Sequence, residues 1–174
     1  MSATTVRRPR SDELASFYRG YLEIVPAGDV LAELAAGLEQ TRALLARLGE
    51  TRGGHRYAPG KWSVKEVVGH LIDAERVFAY RALRMARGDA TPLASFEQDD
   101  YVAASGSDRR TLADLSEELA LLRGANLCFF RALDAESWER RGTASDCSFV
   151  VCAFPYLLAG HERHHRTVLA ERYA

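Results

Sequence analysis

At 174 residues and 19.3 kDa the chain reads as one domain, 1–174, and its 47% apolar and 27% charged residues exclude the disordered and collagen-like classes. Basic and acidic residues nearly cancel, 23 against 24, so no whole-molecule field draws the chain to a phosphate backbone or an anionic lipid surface. Nucleic acid and membrane are therefore not expected as partners.

The longest stretch without a charged residue or histidine, Cys147 to Gly160, is 14 residues, short of the roughly 18 to 20 that a helix needs to cross a bilayer. The basic start through Arg10 leads into Ser11-Asp12-Glu13 rather than an apolar stretch and a cleavage site. A cytoplasmic location is the expectation, with 1–10 a disordered tail. The cysteines, Cys128, Cys147 and Cys152, are odd in number and lack a Cys-x-x-Cys pair, so they read as buried thiols in a reducing compartment.

Apolar spacing of three and four dominates the rest of the chain. Leu14, Phe17, Tyr18 and Leu22 predict a short extra helix within Asp12 to Val25. Asp29 caps a first long helix with the stripe Leu31, Leu34, Leu38, Thr41, Leu45 and Leu48, which Gly49 ends. A second opens at Ser63-Val64-Lys65-Glu66, the form of a capping box, turns Val64, Val67, Leu71, Ala74 and Phe78 one way, and stops at Arg87-Gly88-Asp89. From Thr91-Pro92 to Asp108 no period is sustained, and a connection of this length is expected to pack over the body or cross it.

Thr111-Leu112-Ala113-Asp114 again has capping-box form and begins a third helix, with Leu112, Leu115, Leu119, Leu122, Asn126, Phe129 and Leu133 on one stripe. After Gly142 to Ser148 the chain turns apolar; Pro155 either opens a fourth helix or kinks one begun near Phe149, and Tyr156 to Arg172 is helical. No repeat, low-complexity tract or strand pair is evident. The expected fold class is all-α, a four-helix bundle with a short extra N-terminal helix and a long connection between helices two and three.

Three of the five histidines fall in His161-Glu162-Arg163-His164-His165. Leu158, His161, His165, Val168 and Arg172 continue one stripe, which puts His161 and His165 one turn apart on the inward face, able to hold one ion. Two imidazoles satisfied by core hydrogen bonds are the alternative, and would need two sets of polar partners in an apolar interior. Helix two offers a third ligand, His70, flanked by Val67, Ala74 and Val77, whereas His55 in the Gly53-Gly54 loop reads as solvated. His70, His161 and His165 would be three neutral imidazoles leaving positions open for water or substrate, as catalytic zinc sites do. Zinc is the first expectation; nickel and ferrous iron also suit imidazole.

The segment matches H-E-x-x-H as well, which would make Glu162 the base of a metalloprotease, but Val168 and Glu171 stand where the metzincin continuation needs Gly and His. Glu162 is read instead as solvent-facing or behind the ligands, and His164 as sharing the edge of the site.

The run from Lys61-Trp62-Ser63 through His70 to Arg76, the run Tyr80-Arg81-Ala82-Leu83-Arg84, and Gly160-His161-Glu162-Arg163-His164-His165 together resemble the DinB-like superfamily of bacterial four-helix-bundle metalloproteins, over about Tyr21 to Tyr173. The resemblance implies a metal on His70, His161 and His165, the set the spacing also reaches. It further implies frequent homodimers and, in characterised relatives, transferase or isomerase chemistry with bacillithiol, mycothiol or glutathione as the thiol cosubstrate. Cys147-Ser148-Phe149, where many relatives have a histidine, and Pro155, inside what is usually continuous helix, depart from the pattern.

Glu75, among Leu71, Ile72, Phe78 and Ala79, is expected to turn its carboxylate partly inward, as a catalytic proton acceptor or in a salt bridge to an arginine across the bundle. Asp73 reads as a group behind the ligands or on the surface, and Asn126 as lining the cavity or bonding across helices. Arg81, Tyr101, Asp99 and Asp100 reach the mouth if the long connection folds over it, and Phe17, Tyr18 and Tyr21 read as exposed dimer contacts. Two functions follow. One is a metal-dependent enzyme activating a thiol or water against a small electrophilic substrate; the other is a non-catalytic, stress-related dimer binding a metal or small molecule. A pocket reaching the ion beside an inward carboxylate favours the first, and a sealed ion the second.

Overall fold

A computed structural model describes residues 6–174. Its helices are α1 (Arg19–Glu23), α2 (Val30–Leu48), α3 (Val64–Ala86), α4 (Gln98–Ser105), α5 (Leu112–Arg131), α6 (Ala135–Glu139) and α7 (Ala153–Arg172), with a hairpin of β1 (Arg141–Ala144) and β2 (Cys147–Val150) between α6 and α7. The four long helices α2, α3, α5 and α7 form the bundle. α2 packs on α5 and α7, and so does α3, so the consecutive α2 and α3 lie across the diagonal, joined by the long segment 49–63. Among the described residues no helix is long and apolar enough to cross a membrane.

The helix starts follow the sequence. Asp29 accepts from Leu31 and Ala32 at the start of α2, and Ser63 and Glu66 close a full capping box on α3. At α5 the box is only half made: Thr111 accepts from the Asp114 amide at 3.1 Å, but the Asp114 carboxylate goes to Arg110. Pro155 lies in the first turn of α7, where its missing N–H leaves no bond unmade, so it opens the helix rather than kinking it.

Several expectations change. The strand pair was not anticipated, because Ser145-Asp146 lacks the usual Asn-Gly or Asp-Gly signal, yet both residues take positive φ, 51° and 58°, as a two-residue hairpin turn requires. The long connection is partly ordered as α4, and its Leu93 pairs with the hairpin, donating to Thr143 and accepting from Ser145 at 3.0 Å each. The stripe of α5 rotates: Arg123, Leu127 and Phe130 are buried, whereas Leu122, Asn126 and Phe129 are half-buried. Cys152 is buried as expected, but Cys147 is half-buried and Cys128 is exposed. Of the expected tail, residues 1–5 lie outside the described residues, while Val6 is buried and Arg7 pairs with Glu13 and Glu139. The N-terminal helix is shorter than read, a turn at Ser16–Tyr18 followed by α1.

Two apolar clusters fill the bundle. One joins Leu34, Phe78, Phe130, Phe149 and Leu157, and the other Leu45, Val68, Leu115, Leu119 and Leu169. Between them, at corresponding levels of the four helices, lie the polar side chains of Thr41, His70, Glu75, Arg123, His161 and Glu162, all buried. This layer contains the candidate site.

Candidate metal centre

His70 reaches the layer from α3, and His161 and His165 from one face of α7. One nitrogen from each of the three rings lies within 4.8 Å of the others, and His70 Nε2 stands 2.9 Å from His161 Nε2. Neighbouring aromatics hold the rings. Trp62 packs on His70 with centroids 4.8 Å apart and stacks toward His165, while Tyr21 meets His161 edge-on at 5.4 Å. Tyr21 comes so close because residue 160 is glycine: a Cβ there would collide with the Tyr21 carbonyl.

Burial lowers the basicity of all three imidazoles. It brings His70 to about 4, with Asp99 pulling the other way, His165 to about 3, and His161 well below its ordinary value. All three are neutral at pH 7, the state a metal ligand requires. Ring nitrogens that converge without carboxylate or backbone partners form a donor set suited to a divalent transition ion.

Beside the histidines runs a buried ionic network. Arg123 donates to both Glu75 oxygens at 2.8 Å, to Glu162 Oε2 at 2.8 Å and to the Leu34 carbonyl at 2.7 Å. Thr41 donates to Glu162 Oε1 at 2.7 Å and Asn126 to Glu75 Oε1 at 3.1 Å. Burial opposes the Arg123 charge, but the two carboxylates outweigh it and hold its pKa above the ordinary value. The network ties α2, α3, α5 and α7 at one level, next in sequence to His161 and five residues from His70.

The family model of the DinB superfamily matches residues 29–169. The chain belongs to the DinB superfamily. No curated protein sequence matches it significantly. Among solved structures it is similar to YfiT from Bacillus subtilis, described as "a probable metal-dependent hydrolase with an unusual four-helix bundle topology", with TM-score 0.71 and 18% identity over 95% of this chain and 90% of that one. It is also similar to a mycothiol-dependent maleylpyruvate isomerase, with TM-score 0.69 and 11% identity, covering 84% of this chain but only 61% of the isomerase. At these identities the likeness is one of fold.

Within this DinB fold two chambers open beside the histidines. One, about 390 Å³, has His70 and His161 in its wall with Phe17, Tyr18, Tyr21, Phe78 and Phe96; the other, about 350 Å³, has His165 and His164 with Trp62, Tyr57, Tyr173 and Lys61. Asp99 on α4 borders both, so the long connection does fold over the site. All three of Phe17, Tyr18 and Tyr21 border a chamber, but only Tyr18, buried, and Tyr21, half-buried, depart from the exposed face expected of them; Phe17 is 64% exposed.

The remaining predicted residues divide. His164 is exposed at the rim of the second chamber. Glu75 takes the salt-bridge alternative, both oxygens bound to Arg123, which removes it as a free proton acceptor. Glu162 is buried rather than solvent-facing, and Asn126 bonds across helices. Asp73 is half-buried and lines neither chamber; burial raises its pKa, with Arg76 opposing. Tyr101 packs on Phe96 outside the chambers, Asp100 is exposed, and Arg81 is buried behind the first chamber. His55 is half-buried against Tyr173 instead of freely solvated.

Sequence reading missed Arg123 and Trp62. Arg123 was legible as the one charge in the alternative stripe Leu115, Leu119, Arg123, Leu127, Phe130; Trp62, just outside the Ser63 cap, carried no local signal.

Proposed function

We propose that this DinB superfamily protein is a metal-dependent enzyme that activates a thiol or a water molecule against a small electrophilic substrate, in the manner of a thiol transferase. His70, His161 and His165 would hold the ion, with zinc the first choice. The observation that carries the reading is that three neutral ring nitrogens from two helices converge beside two open chambers. A divalent ion bound there supplies Lewis-acid chemistry, lowering the pKa of a thiol or water that reaches it.

The chain's own residues do the rest. Trp62 and Tyr21 fix the ring orientations, and the Glu75–Arg123–Glu162 network holds α3 and α7 at one level, so that ligand nitrogens on different helices stay in register. The aromatic side chains give the body of an electrophile an apolar wall to lie against. Two chambers meeting at one centre suit two reactants, which supports turnover over a sealed ion.

Cobalt-loaded protein titrated with glutathione tests the reading. A thiol-dependent near-ultraviolet band, absent in His161→Ala, is the expected result. A cobalt spectrum indifferent to glutathione, in protein that also fails to hydrolyse p-nitrophenyl acetate, would overturn it in favour of a non-catalytic metal-binding protein.

A further inference from the structure

A phenol taken out of water ordinarily finds a hydrogen-bond partner. Tyr156 donates to the Val6 carbonyl and Tyr173 to the Trp62 carbonyl, and Tyr18 has the Arg81 guanidinium beside its hydroxyl. Tyr21, half-buried on α1, is the exception. Its hydroxyl has no partner among the described residues, and desolvation acts on it with no hydrogen bond or neighbouring charge beside it. Nor is it sealed, since Arg163 Nε is the one buried side-chain atom without a partner among the described residues. The open space that Tyr21 borders is the first chamber.

Tyr21 stands at the histidine end of that chamber. Its carbonyl and Cβ occupy the space a side chain at Gly160 would need, and its ring meets His161 edge-on at 5.4 Å and His164 at 5.6 Å. Tyr18, by contrast, packs on Phe78 and Phe149 at 5.6 and 5.9 Å, with its hydroxyl toward Arg81. The other polar groups of the wall do not compete. Glu97 and Asp99 are acceptors, Ser95 and Gln98 are exposed on the connection, and no lysine or arginine borders the chamber among the described residues. Burial raises the Tyr21 pKa further above neutrality, so the phenol keeps its proton. A ligand oxygen that gains negative charge beside the histidines therefore meets a neutral phenol as its fixed side-chain donor, apart from the imidazoles themselves.

We infer that the Tyr21 hydroxyl donates a hydrogen bond to the electrophile's oxygen, and that the first chamber takes a carbonyl compound with an apolar or aromatic body and no anionic group. When a thiolate or hydroxide attacks the carbonyl carbon, its electron pair forms the new bond and the C=O π pair moves onto oxygen. The bond from Tyr21 strengthens as that charge grows, and the phenol keeps its proton throughout. Two carboxylates at the mouth and no cation in the wall disfavour an anionic ligand. The inference rests on the histidine cluster being the reaction centre. Tyr21 touches the substrate in this account and is a catalytic residue.

The test titrates 4-dimethylaminocinnamaldehyde, whose absorption moves to longer wavelength when its carbonyl oxygen accepts a hydrogen bond, into metal-free wild type and Tyr21→Phe. Removing the metal separates the phenol from any Lewis acid. The dye bound to wild type is expected to absorb at longer wavelength than in Tyr21→Phe, with affinity within about 10-fold. 3-Fluorotyrosine at position 21, a stronger donor of nearly the same shape, should move the band further. On zinc-loaded protein Tyr21→Phe should lower kcat for p-nitrophenyl acetate by about 100-fold with KM little changed, while zinc content and Tm are kept because the ring remains. 4-Carboxycinnamaldehyde should bind about 10-fold more weakly than cinnamaldehyde. Identical dye spectra in wild type and variant, or a dye that does not bind wild type, overturn the inference. So does a Tyr21→Phe protein that loses zinc or stability, which would mark the hydroxyl as structural, and equal affinity for the two cinnamaldehydes overturns the neutral substrate class. A wild type that binds no zinc or hydrolyses no ester overturns the metal-enzyme reading instead, and the metal-free spectra still decide the role of Tyr21.

Discussion

Replacing Arg123 by Met tests whether the polar layer is an ionic lock. The change removes four hydrogen bonds and leaves Glu75 and Glu162, with side chains 2% and 3% exposed, facing each other without a cation. Breaking a buried pair by removing one partner costs about 3–5 kcal/mol. For a chain of this length each kcal/mol moves Tm by roughly 2–4 °C, so a fall of roughly 6–20 °C is expected. Calorimetry on metal-free protein excludes stabilisation by a bound ion. The triple replacement Glu75→Leu, Arg123→Met, Glu162→Leu removes all three charges at similar volume and should return to within about 2 kcal/mol of wild type, since an apolar triad carries no desolvation penalty. A single variant losing less than about 1 kcal/mol, or a triple variant no better than the single, would refute the reasoning.

Three further outcomes follow from local chemistry. In metal-free protein burial keeps His70 at about 4, His165 at about 3 and His161 lower still, whereas in the unfolded chain they titrate near 6.5. The unfolded state then binds more protons, so stability falls as pH drops from about 7 toward 4, by about 1.4 kcal/mol per pH unit per histidine; urea midpoints should show a shallower fall in His70→Ala, and identical slopes would contradict this. Glu13 is sealed, and its hydrogen bond from Arg7 chiefly holds it at about 2 against the cost of burial. Its stabilisation is present above the unfolded value and lost as pH falls from about 5 to about 2. Glu13→Gln should therefore cost about 2 kcal/mol at pH 7, allowing for screening at the partly exposed arginines, and clearly less at pH 3; an equal cost at both would refute the assignment. Asp146 holds φ at 58° in the hairpin turn, and Asp146→Gly should gain about 0.5–1 kcal/mol, read as a higher Tm, with no gain contradicting the strain.

The long helices and the histidine set were legible because each is a local pattern: a cap, a three-four stripe, two imidazoles one turn apart. The hairpin was not, because Arg141–Ala144 lacks alternation and its turn residues adopt positive φ only under tertiary contact with Leu93. The phase of α5 was misread for a physical reason. Sequence hydrophobicity favoured Leu122 and Phe129, but Arg123 turned inward because Glu75 and Glu162, from helices 48 and 39 residues away in sequence, converge on it. A charge in a core depends on partners that no local window contains. The same holds for Tyr18 and Tyr21, which resemble exposed dimer contacts until Gly160 lets the N-terminal segment settle against α7.

The measurement closest to the central claim is elemental analysis of purified untagged protein, as isolated and after zinc reconstitution, for wild type, His70→Ala and His165→Ala. The account predicts about one divalent transition metal per chain in wild type and its loss in both variants, with the helical circular dichroism preserved. A wild type that takes up no metal, or variants that retain it at full stoichiometry, would contradict the three-histidine centre.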